Sequence, residues 1–176
     1  MRSWGALVLG MVLAAVVGGP TAIAAEGART ILIHIKTGLK QDNAQIPVAY
    51  NQIWAALAEG LNVRVLVDAS AVETYMKGEA NGWEDLEEHQ LPESLRQIVA
   101  KDFRVQVAEV PRTYGAYLRM LQDKGAKFYV NSEMLVAAKI KAALGKTESL
   151  GPTFFTPVGP RQMLGLRREA DLYMAY

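Results

Sequence analysis

The stretch Thr30-Ile31-Leu32-Ile33-His34-Ile35-Lys36 decides the fold, read together with Val63-Arg64-Val65-Leu66-Val67-Asp68 further along the chain. The first run is almost continuously aliphatic and β-branched, the composition of a strand buried on both faces of a parallel sheet. Between the two runs lies a polar loop, Thr37-Gly38-Leu39-Lys40-Gln41-Asp42-Asn43, and then Pro47, which opens a helix where its missing N–H costs nothing. Val48, Ile53, Trp54, Leu57 and Ala58 keep helical spacing as far as Gly60, a C-terminal stop. Strand, helix, strand is a βαβ unit, whose strands run parallel with a right-handed crossover.

The alternation continues after that unit. Residues 69 to 91 are the least regular part: Gly78, Asn81 and Gly82 interrupt any periodicity, and Glu84, Asp85, Glu87 and Glu88 form an acidic run. A helix is predicted from Pro92 through Val99, and Phe103, Val105 and Val107 alternate with Arg104 and Gln106 in the pattern of a short strand. Then come a helix over Tyr114 to Lys124 stopped by Gly125, a strand over Ala126 to Val130, and a helix over Glu133 to Leu144 closed by Gly145. Thr153 to Thr156 reads as a strand, Arg161 to Ala170 as a helix and Leu172 to Tyr176 as a last strand. The predicted fold is a three-layer α/β/α domain with a mainly parallel sheet of five or six strands.

Ahead of the domain, Arg2 precedes the uncharged, mostly apolar run Trp4 to Gly19, which Pro20 breaks before Ala22-Ile23-Ala24. That is the pattern of a secretory signal peptide with a small-x-small cleavage site. A membrane anchor would need about 20 apolar residues, more than this run offers. Residues 1–25 are therefore expected to be a signal peptide and 26–176 a periplasmic or secreted domain, with no membrane span after cleavage. Without Arg2 the formal charge falls from +1 to zero, so no electrostatic footprint for nucleic acid exists.

The chain contains no cysteine. Disulfides, thiolate nucleophiles, persulfide carriers and cysteine-based metal sites are all excluded, and stability must come from packing. The only histidines, His34 and His89, lack metal-ligand spacing, and Lys36-Thr37-Gly38 lacks the glycines of a phosphate-binding loop. No metal and no cofactor are expected. Trp83, among Gly, Asn and acidic residues, is a contact candidate at a subunit or partner surface.

The order of short motifs carries a resemblance. A strand ends in Lys36-Thr37-Gly38-Leu39, a helix ends in Ala56-Leu57-Ala58-Glu59-Gly60, and a second strand ends in Val65-Leu66-Val67-Asp68, with Ala71-Val72 and Lys77-Gly78 shortly after. Leu121-Gln122-Asp123-Lys124-Gly125-Ala126-Lys127-Phe128-Tyr129-Val130 follows, and the chain finishes Glu169-Ala170-Asp171-Leu172-Tyr173-Met174-Ala175-Tyr176. This arrangement resembles the DsrE/DsrF-like family of sulfur-relay proteins over most of residues 30 to 176. In that family the strand matching Gly125 to Val130 runs into a cysteine that can carry sulfur as a persulfide, often with a second cysteine three residues later. Here the matching positions are Asn131 and Met134, and neither an amide nor a thioether can form a persulfide. The resemblance implies a parallel sheet, a pocket at the strand carboxyl ends, a homo-oligomer and a sulfur-handling partner.

In open parallel sheets ligands sit outside the carboxyl ends of the strands. The segments leading there are Lys36-Thr37-Gly38, Asp68-Ala69-Ser70 and Asn131-Ser132-Glu133. Thr37, Ser70 and Ser132 offer hydroxyls, Asp68 a charge, and the helix after Asn131 an N-terminus suited to a small anionic ligand. Against this, Asn131 or Ser132 can simply cap that helix. Ser132, His34 and Asp68 are the residue types of a nucleophile, base and orienting acid. His34, however, lies inside a strand, where its ring is expected to pack in a helix–sheet layer, and no Gly-x-Ser-x-Gly elbow exposes a serine. The ligand-binding candidates are thus Lys36, Thr37, Gly38, Asp68, Ser70, Asn131, Ser132 and Met134, with no catalytic residue assigned. The expected function is a non-thiol binding or accessory oligomer linked to sulfur compounds. The alternatives are an enzyme using oxygen or nitrogen groups at the strand ends and a structural assembly subunit.

Overall fold

In the computed structural model the described residues are 27–77, 86, 88–137 and 150–176. The expected signal peptide, Trp83, most of the acidic run and the end of the helix predicted to reach Leu144 lie outside them. Among the described residues five strands, β1 (Thr30–Ile35), β2 (Asn62–Val67), β3 (Lys127–Asn131), β4 (Thr156–Val158) and β5 (Leu172–Ala175), form one sheet in the order β4-β3-β2-β1-β5. Every pairing is parallel. The helices are α1 (Gln45–Ala58), α2 (Ala71–Thr74), α3 (Glu93–Phe103), α4 (Tyr114–Asp123), α5 (Ser132–Ala137) and α6 (Pro160–Arg168).

The handedness rule accounts for which face each helix covers. From β1 the chain steps one strand at a time toward β4, and right-handed crossovers then place the connecting helices on one face. From β4 it returns across the sheet to β5 beside β1, so α6 must cover the other face. The buried side chains follow this division. Ile31, Ile33 and Ile35 of β1 join Ile46, Tyr50, Ile53 and Trp54 of α1 and Tyr117, Leu118 and Leu121 of α4 in the large core. Leu32, the alternate residue of β1, joins Leu66, Val158, Met163 and Leu166 in a small core beneath α6.

Two predicted strands take another form. Residues through Phe103 belong to α3, Arg104 ends it in the left-handed region at φ 54°, and Val107–Glu109 is a 3-10 turn. The Phe103 ring stacks on Trp54 at 4.2 Å, and Val105 and Val107 pack against the large core, so their alternation reports burial without a partner strand. Thr153 and Phe154 form a turn and the strand begins at Thr156; Phe155, between them, is a core anchor stacked on Phe128. On α1 the buried face is set by Ile46, Ala49, Tyr50, Ile53 and Trp54, while Val48 points outward. Pro47 sits in the first turn, where no intrahelical acceptor is lost. After α4, Gly125 adopts φ 110°, a conformation closed to side-chain-bearing residues.

Candidate functional site: a hydrogen-bonded line across four strands

Parallel strands bring their carboxyl ends to one rim, and residues far apart in sequence meet there. The pairing of His34 with Leu66 in β1–β2 and of Val67 with Val130 in β2–β3 sets Asp68, just past β2, between His34 and Asn131. Asn131 Nδ2 donates to Asp68 Oδ1 at 2.7 Å, and the Ala69 amide donates to the same oxygen at 2.7 Å. His34 Nε2 lies 3.1 Å from Asp68 Oδ2, and His34 Nδ1 lies 2.8 Å from the Tyr173 hydroxyl. Because a carboxylate only accepts, Nε2 carries the imidazole proton and the bare Nδ1 accepts from Tyr173. A continuous line runs Tyr173–His34–Asp68–Asn131 over β5, β1, β2 and β3.

Burial and charge differ from member to member of this line. His34 is 2% exposed, the Asp68 side chain 18% and Tyr173 52%. Desolvation lowers the His34 pKa below its usual value; the bond to Asp68 opposes this, and the nearby charges of Arg167 and Lys36 add to the lowering. Burial alone would raise the Asp68 pKa, but bonds from Asn131, Ala69 and His34 outweigh it and hold the carboxyl below its ordinary range. The resting pair is therefore a carboxylate and a neutral imidazole.

The other residues expected at the site have local roles. Ser70 Oγ donates to the Lys36 carbonyl and accepts from the Gly38 amide, and Thr74 Oγ1 accepts from the Leu39 amide. These bonds stitch the Lys36–Thr37–Gly38 loop to α2. A Cβ on Gly38 would stand 2.6 Å from the Ser70 carbonyl, so only glycine lets the two backbones approach. The amides of Lys36 and Thr37 donate to the Tyr176 carbonyl, anchoring the same loop to the end of β5. Ser132 Oγ donates to the Val158 carbonyl, tying the start of α5 to β4, and the Met134 side chain packs against the large core.

Asn131 does two things at once. Its Oδ1 accepts from the Glu133 amide at 2.9 Å and the Met134 amide at 3.4 Å, which caps α5. Its Nδ2 holds Asp68. Asp68 and Asn131 meet at one rim, as their strand-end positions predict, whereas the expectation for His34 is a ring in the packed layer. The ring is indeed buried, yet both its nitrogens are engaged in the line. Tyr173 was not foreseen: its partner is set by β5 lying beside β1, and strand order is invisible in local sequence.

The fold and rim define a parallel α/β protein whose strand ends carry a polar, thiol-free cluster. No protein-family model matches the chain, and no curated protein matches it in sequence. Among solved structures, one similar to it is the ychN protein from E. coli, with a TM-score of 0.47 and 10% identity over 85% of this chain and 99% of that one.

Proposed function

We propose that the chain is a non-thiol protein of DsrE/DsrF-like type, exported to the periplasm or beyond, which binds a small sulfur oxyanion at the strand carboxyl ends as a homo-oligomer serving a sulfur-handling partner. It acts by recognition instead of covalent sulfur transfer. The observation that carries this reading is Asn131. At the position where the family resemblance implies a sulfur-bearing cysteine, the side chain spends both ends of its amide on Asp68 and α5. What is left for a ligand is a preformed rim with fixed hydrogen bonds and with Lys36 and Arg167 supplying positive charge close to His34. Such pre-organisation favours binding because little ordering cost remains.

Calorimetric titration of residues 26–176 with sulfite, thiosulfate and sulfate tests the reading. Saturable binding of a sulfur oxyanion that weakens at least about tenfold, ~1.4 kcal/mol, in Lys36→Ala or Arg167→Ala is expected. Absence of binding by all three, or binding indifferent to both substitutions, would contradict it. Sedimentation of the same material should give a mass above that of one chain, and a lone monomer would remove the oligomer from the proposal.

A further inference from the structure

A hydroxyl on one imidazole nitrogen and a carboxylate on the other is the arrangement that activates a nucleophile. Ser132 does not supply the hydroxyl, since it donates to Val158. Tyr173 does. We propose that Tyr173, His34 and Asp68 form a nucleophile–base–acid triad at the β5 edge of the sheet, with the Tyr173 phenol oxygen reacting with small activated acyl esters. This goes beyond ligand recognition and does not depend on it.

Three observations carry the assignment. The bond directions are dictated by chemistry: Asp68 can only accept, so His34 presents a bare Nδ1 to the phenol 2.8 Å away. The base is fixed, with its ring buried and Asp68 itself held by Asn131 and the Ala69 amide. The nucleophile is reachable, because Tyr173 lies on an edge strand and is about half exposed.

The step balances without a cofactor. The Tyr173 oxygen attacks the ester carbonyl carbon while its proton passes to His34 Nδ1. The tetrahedral adduct collapses by breaking the bond to the leaving alcohol, which departs with that proton, or as its anion while His34 releases the proton to solvent and is again a neutral base. Water, deprotonated by His34, then cleaves the acyl-tyrosine, returning the phenol and releasing the acid. The groups facing His34 are Asp68 after β2, Tyr173 from β5, Lys36 after β1 and Arg167 from α6.

The test is p-nitrophenyl acetate with the protein at pH 7.5, following nitrophenolate release and locating acetyl groups by peptide mass spectrometry. Tyr129 and Tyr176, both partly exposed, are internal controls. The initial rate of Tyr173 acetylation, read before deacylation sets in, is expected to exceed that of either control and to fall by about 100-fold, the lower end of what a positioned base contributes, in His34→Gln and in Asp68→Asn. Tyr173 acetylation that exceeds the controls only in proportion to its greater exposure, or that is unchanged in the folded variants, would overturn the proposal. Should a variant fail to fold, the wild-type pH profile decides. Tyr173 labelling that reaches a plateau by neutrality supports the triad, whereas labelling that climbs toward the ordinary phenol range near 10 contradicts it.

Discussion

At the residue scale, Asp68 is the hinge of the rim, because three donors converge on one carboxylate. Removing one of them tests how much each holds. Asn131→Ala deletes both the α5 cap and a hydrogen bond to a charged acceptor, and should lower stability by about 2 kcal/mol in urea unfolding. A change below about 0.5 kcal/mol would show the amide to be idle. His34 gives a pH signature. Unfolded, it takes a proton near 6.5; native, it does so only at lower pH. Between those two values the unfolded state binds more protons, so stability falls as pH falls through that window. Asp68, depressed below 3.8, adds a second decline at still lower pH. Unfolding free energy measured from pH 7.5 to 4.5 should therefore drop beneath pH 6.5 in the wild type, and this drop should diminish in His34→Gln. A wild type whose stability rises on acidification through that range would show His34 gaining, not losing, basicity on folding.

At the scale of elements, the loop after β1 depends on close backbone approach. Gly38→Ala should cost about 1–3 kcal/mol, since the obstacle is the Ser70 carbonyl and backbone cannot rotate away as a side chain can. Thermal unfolding of that variant beside a control at exposed Gly27, where no atom crowds a new Cβ, checks the claim. The elements also show why sequence patterns read well in some places and poorly in others. β1 is buried along its whole length and β2 over its second half, and they are bounded by a polar loop and Asp68, so composition alone announces them. The segment from Phe103 to Val107 has the same alternation for a different cause. Its apolar residues return to the core past a left-handed Arg104, and period-two spacing cannot distinguish that path from a strand. Asp68 and Asn131 were legible as strand-end residues because each follows a plain hydrophobic run. Tyr173 was not, because its role depends on which strand lies beside β5.

At the scale of the molecule, the return of the chain from β4 to β5 leaves the two sheet faces unequally covered. One face lies under α1 and α4; the small core of the other rests on α6, whose Met163 and Leu166 meet Leu32, Leu66 and Val158. Hydrogen exchange should accordingly release α6 and β5 before β1, β2 and β3; equal protection throughout would argue for a single cooperative unit. The same return brings Tyr173 beside His34 and so completes a polar line over four strands. Nitrogen-15 NMR of the His34 imidazole interrogates that line most directly. At pH 7 the ring should be neutral with its proton on Nε2 and a bare Nδ1, and should titrate below 6.5. A proton found on Nδ1, or a titration above 6.5, would mean that Asp68 and Tyr173 do not hold the ring between them.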